Sequence, residues 1–417
     1  MAMESESSGP LLPSPLVFVV ARSRVSTPVL LVFTIGLTVP LKAARLDVAG
    51  LSLYATYILS AVVALRYWRQ VTKSLCRWFA LPAAVLVLSA GWAVVRGAGA
   101  VDPALTVGKL AVAFGVAAGF GVLTVRAEDW LYRGLLAGVL LSVAYMSYQM
   151  VSSVFFGFGL PFTTSARLAI GLGLAQRYGI PRVTGFTEEP SFIATLLVGA
   201  TLLNIAYAYR RDRPVFLKIA VLAGAAGLVM STSNNLFATT VILAAFWPFI
   251  RNRRVMLVFA TYYVVALVVT PSVLLRDVTY YARFSAYDIF LRSGALEQLF
   301  GRGTGSYPRY FELNRVQFDG QDVASLASIW GAWLFEGGVV LVVLVLWWLA
   351  RVVRGAGWRE GLSLIALLLM LSNYNSPWWP IVSLALAECL VDRQEGVKWR
   401  TNSTSVGTRR PFVVTDA

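Results

Sequence analysis

One short segment of the sequence places an arginine and two carboxylates directly before an apolar run. In YGIPRVTGFTEEPS, residues 178–191, Arg182 is followed by Glu188 and Glu189, and Pro190 stands where a helix can begin. A guanidinium offers a fork of donors that suits a phosphate, and a carboxylate can accept a proton. Glu188 and Glu189 also fit helix capping, because acidic side chains favour a helix N-terminus. Capping does not explain Arg182.

A second segment, RFSAYDIFLR at residues 283–292, has Arg283 and Arg292 at its ends and Asp288 between them. Its apolar residues at positions i, i+3 and i+7 predict a short amphipathic helix that lies along the membrane surface. Packing against the rest of the protein explains this apolar stripe more simply than a binding site for an acceptor substrate does.

Glycines alternate with other residues in a third segment, LFGRGTGSY at residues 299–307. Gly303 and Gly305 allow the backbone to approach a ligand and to turn its amides toward an anion. Arg302 and Tyr307 flank them and are further candidates for binding. The pattern is neither a Walker loop nor a Rossmann fingerprint, because no strand and helix frame it.

Two polar features interrupt the apolar runs. The stretch STSNN, residues 231–235, includes Asn234 and Asn235. This stretch forms either a tight turn on the outer side of the membrane or a group of polar side chains that hydrogen-bond a sugar or diphosphate. Glu336 lies in LFEGG within another apolar run, where an ionised carboxylate is costly. A neutral or paired structural glutamate is therefore expected.

Composition shows which class of protein must position these residues. The chain has 417 residues, 58% of them apolar and 14% charged, and its mean hydropathy is +0.69. Soluble proteins carry roughly 25% charged residues, so a soluble enzyme, a disulfide scaffold and a disordered chain are excluded. The sequence contains no histidine, which removes histidine-based acid–base catalysis and histidine-ligated zinc or haem. No metal or cofactor is expected.

Repeated apolar runs, each able to cross a bilayer, predict an all-α polytopic integral membrane protein with about 12 transmembrane helices. The runs lie near residues 27–41, 47–65, 78–95, 105–125, 132–156, 190–209, 215–231, 236–250, 255–272, 326–350, 360–373 and 380–391. Residues 1–26 and 392–417 are predicted as cytoplasmic tails, the second one flexible. The transmembrane domain, residues 27–391, includes two outer loops at 157–189 and 273–325, and the second is large and partly helical.

The formal charge of +15 fits this topology. The clusters RRDR (210–213) and RNRR (251–254) fall inside when the spans alternate, as the positive-inside rule expects, so no nucleic-acid partner is needed. Both outer loops contain arginine and no lysine. Long loops cross membranes whatever their charge, but that explains an all-arginine set poorly. An arginine-lined hollow beside the bilayer suggests a lipid-linked phosphate ligand.

The order of these motifs resembles the O-antigen ligase/polymerase superfamily, especially the Wzy-type polysaccharide polymerases. The motifs are GFTEEPS, STSNN, the loop that opens with Arg283, GRGTGSY and LFEGG, and they cover about residues 178–350. The resemblance implies a metal-independent, GT-C-like glycosyltransferase that uses undecaprenyl-diphosphate-linked oligosaccharides. The site would lie on the periplasmic side of the bacterial inner (cytoplasmic) membrane. By motif position, Arg182, Arg283 and Arg292 would hold the diphosphate.

The predicted reaction joins lipid-linked repeat units of O-antigen or exopolysaccharide. Arg182 and Arg283 would stabilise the departing diphosphate. Glu189, or else Glu188 or Asp288, would deprotonate the acceptor hydroxyl. The activated donor supplies the driving force, so ATP is not required. A protein that regulates chain length is a candidate partner.

Two alternatives remain at this stage. One is a ligase that transfers finished glycan to lipid A core or to a protein. Ligases of the superfamily typically have a functional histidine before the LFEGG span, and here residues 322–328 read DVASLAS, which favours a polymerase. The other is a secondary transporter or lipid-linked glycan flippase. Transporters tend to place ionisable residues at mid-bilayer, whereas the centres of these spans are nearly free of charge.

Overall fold

The computed structural model describes the backbone of residues 28–41, 45–48, 51–156, 183–187, 190–231, 278–318, 321–322, 326, 328–356, 358–371 and 379–391. Within these ranges the protein is helical apart from its connections and two short pairs of strands. The prediction of a helical membrane protein is thereby confirmed in its coarse form. The predicted spans at 236–250 and 255–272 lie outside the described residues.

Thirteen α-helices are present in the described ranges. They are α1 (Val29–Thr38), α2 (Ala55–Arg66), α3 (Trp68–Ser74), α4 (Ala80–Val95), α5 (Val101–Phe156), α6 (Pro190–Arg210), α7 (Pro214–Ser231), α8 (Val278–Arg292), α9 (Ala295–Phe300), α10 (Tyr307–Asn314), α11 (Ile329–Gly355), α12 (Trp358–Met370) and α13 (Pro380–Leu390). A π-helical turn, Leu75–Phe79, joins α3 to α4. The strands are β1 (Arg45–Val48), β2 (Leu51–Tyr54), β3 (Gln317–Phe318) and β4 (Gln321–Asp322), paired antiparallel as β1–β2 and β3–β4.

Five helical stretches among the described residues are long and apolar enough to cross a membrane. They are Trp68–Val95, Val101–Phe156, Phe192–Arg210, Pro214–Ser231 and Ile329–Gly355. Three shorter apolar helices, α1, α2 and α13, accompany them. This set supports a multi-pass membrane protein, because the hydrocarbon core of a bilayer requires about 20 apolar residues for each crossing.

The predicted span at 47–65 begins differently from the expectation. Strand β1 pairs with β2, with Val48 opposite Leu51, and the helix begins only at Ala55. The two residues between these partners are Ala49 and Gly50, and two-residue hairpin connections favour glycine. The paired strands β1 and β2 therefore replace the first helical turns that hydropathy predicted.

Helix α5 contains both predicted spans at 105–125 and 132–156, separated only by a sharp corner at Ala127 (φ −145°, ψ 37°). Before the corner, the carbonyl of Ala113 accepts a hydrogen bond from Ser383 of α13. After it, Tyr132 stacks on Tyr207 of α6, with ring centroids 4.5 Å apart, and the Gln149 side chain binds the backbone of Thr184. The two halves of α5 therefore run in opposite directions.

Glycines allow α1 to pack closely against the second half of α5. A Cβ on Gly36 would collide with the carbonyl of Leu131, and one on Gly134 would collide with the carbonyl of Phe33. Small residues at helix crossings are the usual means by which membrane helices approach each other. This contact anchors the N-terminal helix to the centre of the bundle.

Contacts along α4 and α5 define two opposite ends of the bundle. Phe79, at the start of α4, stacks on Phe114, and farther along α4 the backbone of Ala93 lies against Gly303. Gly305 rests on Pro103 at the start of α5. The end that contains the loop 301–306 is called the Gly303 end. The other, which contains the Ala127 corner and the Arg210 cluster described below, is called the Arg210 end.

Candidate functional site

The loop 301–306 is seated on α4 and α11 by its backbone amides. Arg302 N–H donates to the carbonyl of Phe335 (3.0 Å), and Gly303 N–H donates to the carbonyl of Glu336 (2.6 Å). Thr304 N–H donates to the carbonyl of Ser89 (3.2 Å), and its hydroxyl lies 2.9 Å from that of Ser89. The loop is therefore built into the Gly303 end of the bundle.

The glycines of this loop serve close packing. Gly303 and Gly305 have φ values of 96° and 78°, which only glycine adopts readily. A Cβ on Gly303 would collide with the backbone of Ala93, and one on Gly305 would collide with Pro103. Because the amides of residues 301–306 donate within the protein, none of them is directed at an anionic ligand in this structure.

Helix α11 is interrupted where the loop docks. Gly338 has φ 64° and ψ −167°, and a Cβ there would collide with the carbonyl of Leu299. At the interruption, the carbonyls of Phe335 and Glu336 accept hydrogen bonds from the loop, from Arg302 N–H and Gly303 N–H. The carboxylate of Glu336 accepts a hydrogen bond from Gly305 N–H. Glu336 is thus hydrogen-bonded within the protein, which fits the structural glutamate, neutral or paired, that the sequence predicts.

Arg302 and Arg96 share one carboxylate at this end. The guanidinium of Arg302 lies 2.5 Å from Glu297 and 4.5 Å from the ring centroid of Tyr310. Its Nε atom is buried and has no hydrogen-bond partner. Arg96 pairs with the same Glu297 at 2.6 Å and lies over Trp92. Two cations with a single carboxylate form the most concentrated charge among the described residues of the loop.

Sequence reasoning missed Arg96, Trp92 and Glu297. In the sequence, Arg96 follows Trp92 by one helical turn at the end of an apolar run, and this spacing could have indicated the first two. Glu297 stands immediately before the glycine segment. Their significance depends on contacts between segments about two hundred residues apart, which a local pattern does not reveal.

The structure places Asp288 and Arg292 against each other. They form an i,i+4 ion pair of 3.0 Å, and the Arg292 side chain is 80% exposed. A candidate base and a candidate phosphate ligand thus neutralise one another. Tyr307, also a candidate, is buried against the ring of Phe335, with centroids 5.4 Å apart.

Helix α8 confirms the helix predicted over residues 283–292 and extends it to Val278. The predicted apolar stripe is not uniform, because Tyr287 is buried whereas Leu291 is 56% exposed. The Tyr287 hydroxyl lies 3.1 Å from the hydroxyl of Ser328, which caps α11 by accepting from Gly331 N–H. Arg283 belongs to α8, one turn before Tyr287. Its role stays a prediction.

Residues 183–187, which continue from Arg182, are tied to the second half of α5. The side-chain oxygen of Gln149 accepts from the N–H groups of Thr184 (3.2 Å) and Gly185 (2.9 Å). The ring of Phe186 stacks on Tyr145. Five predicted site residues lie outside the described residues and stay predictions: Arg182, Glu188, Glu189, Asn234 and Asn235.

An apolar pocket with a cavity volume of about 100 Å³ lies beside the interrupted helix. Trp333 and Leu341, on either side of the Gly338 interruption, contribute to its wall, together with residues of α4, α5, α12 and α13. The polar side chain in its lining is Ser383, whose hydroxyl is used by Ala113. A pocket of this character suits a hydrocarbon chain.

Within the described ranges, no group of three cysteine, aspartate or glutamate side chains could hold a metal ion. Comparisons with known proteins give no further guidance: no family model, no curated protein and no solved structure matches this chain.

Proposed function

We propose that this protein is a membrane glycosyltransferase that polymerises undecaprenyl-diphosphate-linked repeat units of O-antigen or exopolysaccharide. One arrangement supports this function most strongly. The arginine-bearing loop 301–306 sits on the interruption of α11, and residues of α11 on both sides of that interruption, Trp333 and Leu341 among them, line the apolar pocket. An arginine-bearing loop and an apolar pocket that share one helix match a ligand that carries a charged head on a long apolar tail.

The site would face the periplasm, with both chain termini in the cytoplasm. The basic residues Arg210, Arg211 and Arg213 lie at the end of the bundle opposite to the loop. Clusters of this kind stay on the cytoplasmic side of membranes, so the Gly303 end would lie outside. About 12 transmembrane helices in a GT-C-like arrangement would complete the fold.

In the proposed reaction, the bond between the donor sugar C1 and the diphosphate oxygen breaks, and a bond from the acceptor hydroxyl to C1 forms. Arg182 and Arg283 stabilise the negative charge that grows on the departing diphosphate, an effect worth about 3 kcal/mol for a well-placed donor. The acceptor proton passes to a carboxylate. Since Asp288 is engaged by Arg292, Glu189 or Glu188 is the better base.

The test replaces Arg182 and Arg283 singly by alanine and measures glycan chain length on gels. Each variant is expected to lose long chains while single repeats remain, at unchanged protein level. Arg309→Ala is the matched control, because Arg309 is exposed in the same loop region and paired with Glu312. Long chains that persist in both variants would contradict the assignment. Loss of all surface attachment, with long lipid-linked chains retained, would indicate the ligase instead.

A further inference from the structure

The Arg210 end of the bundle contains a buried cluster of opposite charges. Arg210 contacts three carboxylates, those of Glu128, Glu360 (2.6 Å) and Glu388 (3.4 Å), which come from three different helices. Glu128 also binds Arg211. All three carboxylates are at most 10% exposed at the side chain. The acidic groups of this cluster are therefore already engaged by Arg210 and Arg211.

Around this cluster, three exposed arginines repeat one arrangement, each over a neighbouring exposed tryptophan. The distances from guanidinium carbon to ring centroid are 5.7 Å for Arg69 over Trp68, 4.8 Å for Arg133 over Trp130 and 5.7 Å for Arg351 over Trp347. The three tryptophans are 58%, 38% and 50% exposed. None of the three arginines forms an ion pair with another described residue. Their hydrogen-bond donors thus remain available to a ligand.

The three pairs lie at a common end but on separate helices. Trp68 begins α3, and the preceding Tyr67 lies under Arg126, beside the Ala127 corner. Trp130 and Arg133 follow that corner on α5. Arg351 is close to the end of α11, where Val353 contacts Gly361 next to Glu360. The pairs therefore lie at the same end of the bundle on three different helices.

Exposed tryptophan beside arginine is typical of the boundary between hydrocarbon and water, where the ring lies among headgroups and the long side chain reaches outward. The free guanidinium forks suit phosphate oxygens, and their charge complements an anionic group. At the Gly303 end, by contrast, Arg96 also lies over a tryptophan, but its guanidinium is paired with Glu297.

We propose that Trp68–Arg69, Trp130–Arg133 and Trp347–Arg351 are binding sites for the headgroups of anionic phospholipids in the leaflet at the Arg210 end. The tryptophan ring packs against the glycerol and upper acyl region, and the arginine binds the headgroup phosphate. This binding is independent of the proposed glycosyl transfer at the other end.

The test uses the full-length protein in mild detergent and counts bound lipid by native mass spectrometry. Phosphatidylglycerol and phosphatidylcholine are added in turn. The wild-type protein is expected to retain phosphatidylglycerol preferentially, and the preference should weaken at high salt because exposed charges are screened. Absence of any preference in the wild type would overturn the proposal without reference to a variant.

The combined variant Arg69→Gln, Arg133→Gln and Arg351→Gln should weaken phosphatidylglycerol binding by about fivefold for each arginine removed, and phosphatidylcholine binding should stay unchanged. The control variant is Arg309→Gln, which removes one exposed but paired arginine from the Gly303 end. An unchanged phosphatidylglycerol affinity in the triple variant, or an equal loss in the control, would refute the assignment. An equal loss of both lipids in the triple variant would refute it as well.

Discussion

The two ends of the bundle use arginine in different ways. At the Gly303 end, arginines pair with carboxylates of the same loop region, and the helices are joined by backbone contacts of glycines. These pairs are Arg96 and Arg302 with Glu297, Arg292 with Asp288, and Arg309 with Glu312. At the Arg210 end, charged side chains join the helices themselves.

Arginine therefore has a different role at each end of the bundle. A buried arginine among three carboxylates cannot exchange its partners without leaving them uncompensated, so the Arg210 cluster fixes helix positions. A partly exposed arginine paired with one loop carboxylate can exchange it for a phosphate at small cost. The Gly303 end therefore has the properties of a ligand site, and the Arg210 end those of a frame.

The largest effect is expected from Arg210→Gln. The substitution leaves Glu128, Glu360 and Glu388 close together without their shared cation, and breaking a buried ion pair costs about 3–5 kcal/mol. The melting temperature in detergent, followed by size-exclusion chromatography, should fall strongly. Arg351→Gln, which removes an exposed arginine from the same end, should leave it nearly unchanged. Equal melting temperatures for the two variants would mean that the buried Arg210 cluster contributes no more to stability than an exposed arginine at the same end.

A smaller effect is expected from Gly303→Ala. The added Cβ meets the backbone of Ala93, and the φ of 96° is unfavourable for alanine, so the loop should leave its seat at a cost of about 1–3 kcal/mol. Limited trypsin digestion should then cleave more readily after Arg302. Gly108→Ala is the control, since a Cβ at Gly108 meets nothing within 4 Å. If both variants resist trypsin as the wild type does, the glycine does not hold the loop.

The smallest effect separates two carboxylates of the Gly303 end. Glu297→Gln removes the counter-charge of two arginines and should lower the free energy of unfolding by about 1 kcal/mol. Glu312→Gln disrupts one exposed pair, whose side chains are 50% and 64% exposed, and should change it by at most about 0.5 kcal/mol. Chemical denaturation measures both. A larger loss in the free energy of unfolding for Glu312→Gln than for Glu297→Gln would mean that Glu297 is not the central charge of the loop.

Much of the transmembrane arrangement follows from the sequence because the length of an apolar run is a local property. The runs at 190–209, 215–231 and 326–350 correspond to α6, α7 and α11 within a few residues. Hydropathy did not predict the strands β1 and β2 or the interruption at Gly338. Both depend on turn geometry and on what lies opposite in the fold.

The candidate site was less accessible to sequence reasoning. The alternating glycines were interpreted as a backbone that approaches a ligand, but the same pattern fits amides turned toward an anion and amides turned toward the protein. Only the position of Ala93 and of the Phe335 carbonyl decides between them. Likewise, the sequence analysis predicted Asp288 as a base and Arg292 as a phosphate ligand. Their four-residue spacing on a helix favours an ion pair between them instead.

The corner at Ala127 has a consequence for biogenesis. Two long apolar segments that meet at a single residue form one inseparable hairpin, and the charged residues Arg126 and Glu128 flank its tip. Neither arm can invert alone, and inverting both would carry this charged tip through the hydrocarbon. The two arms are therefore expected to insert into the bilayer together as one helical hairpin.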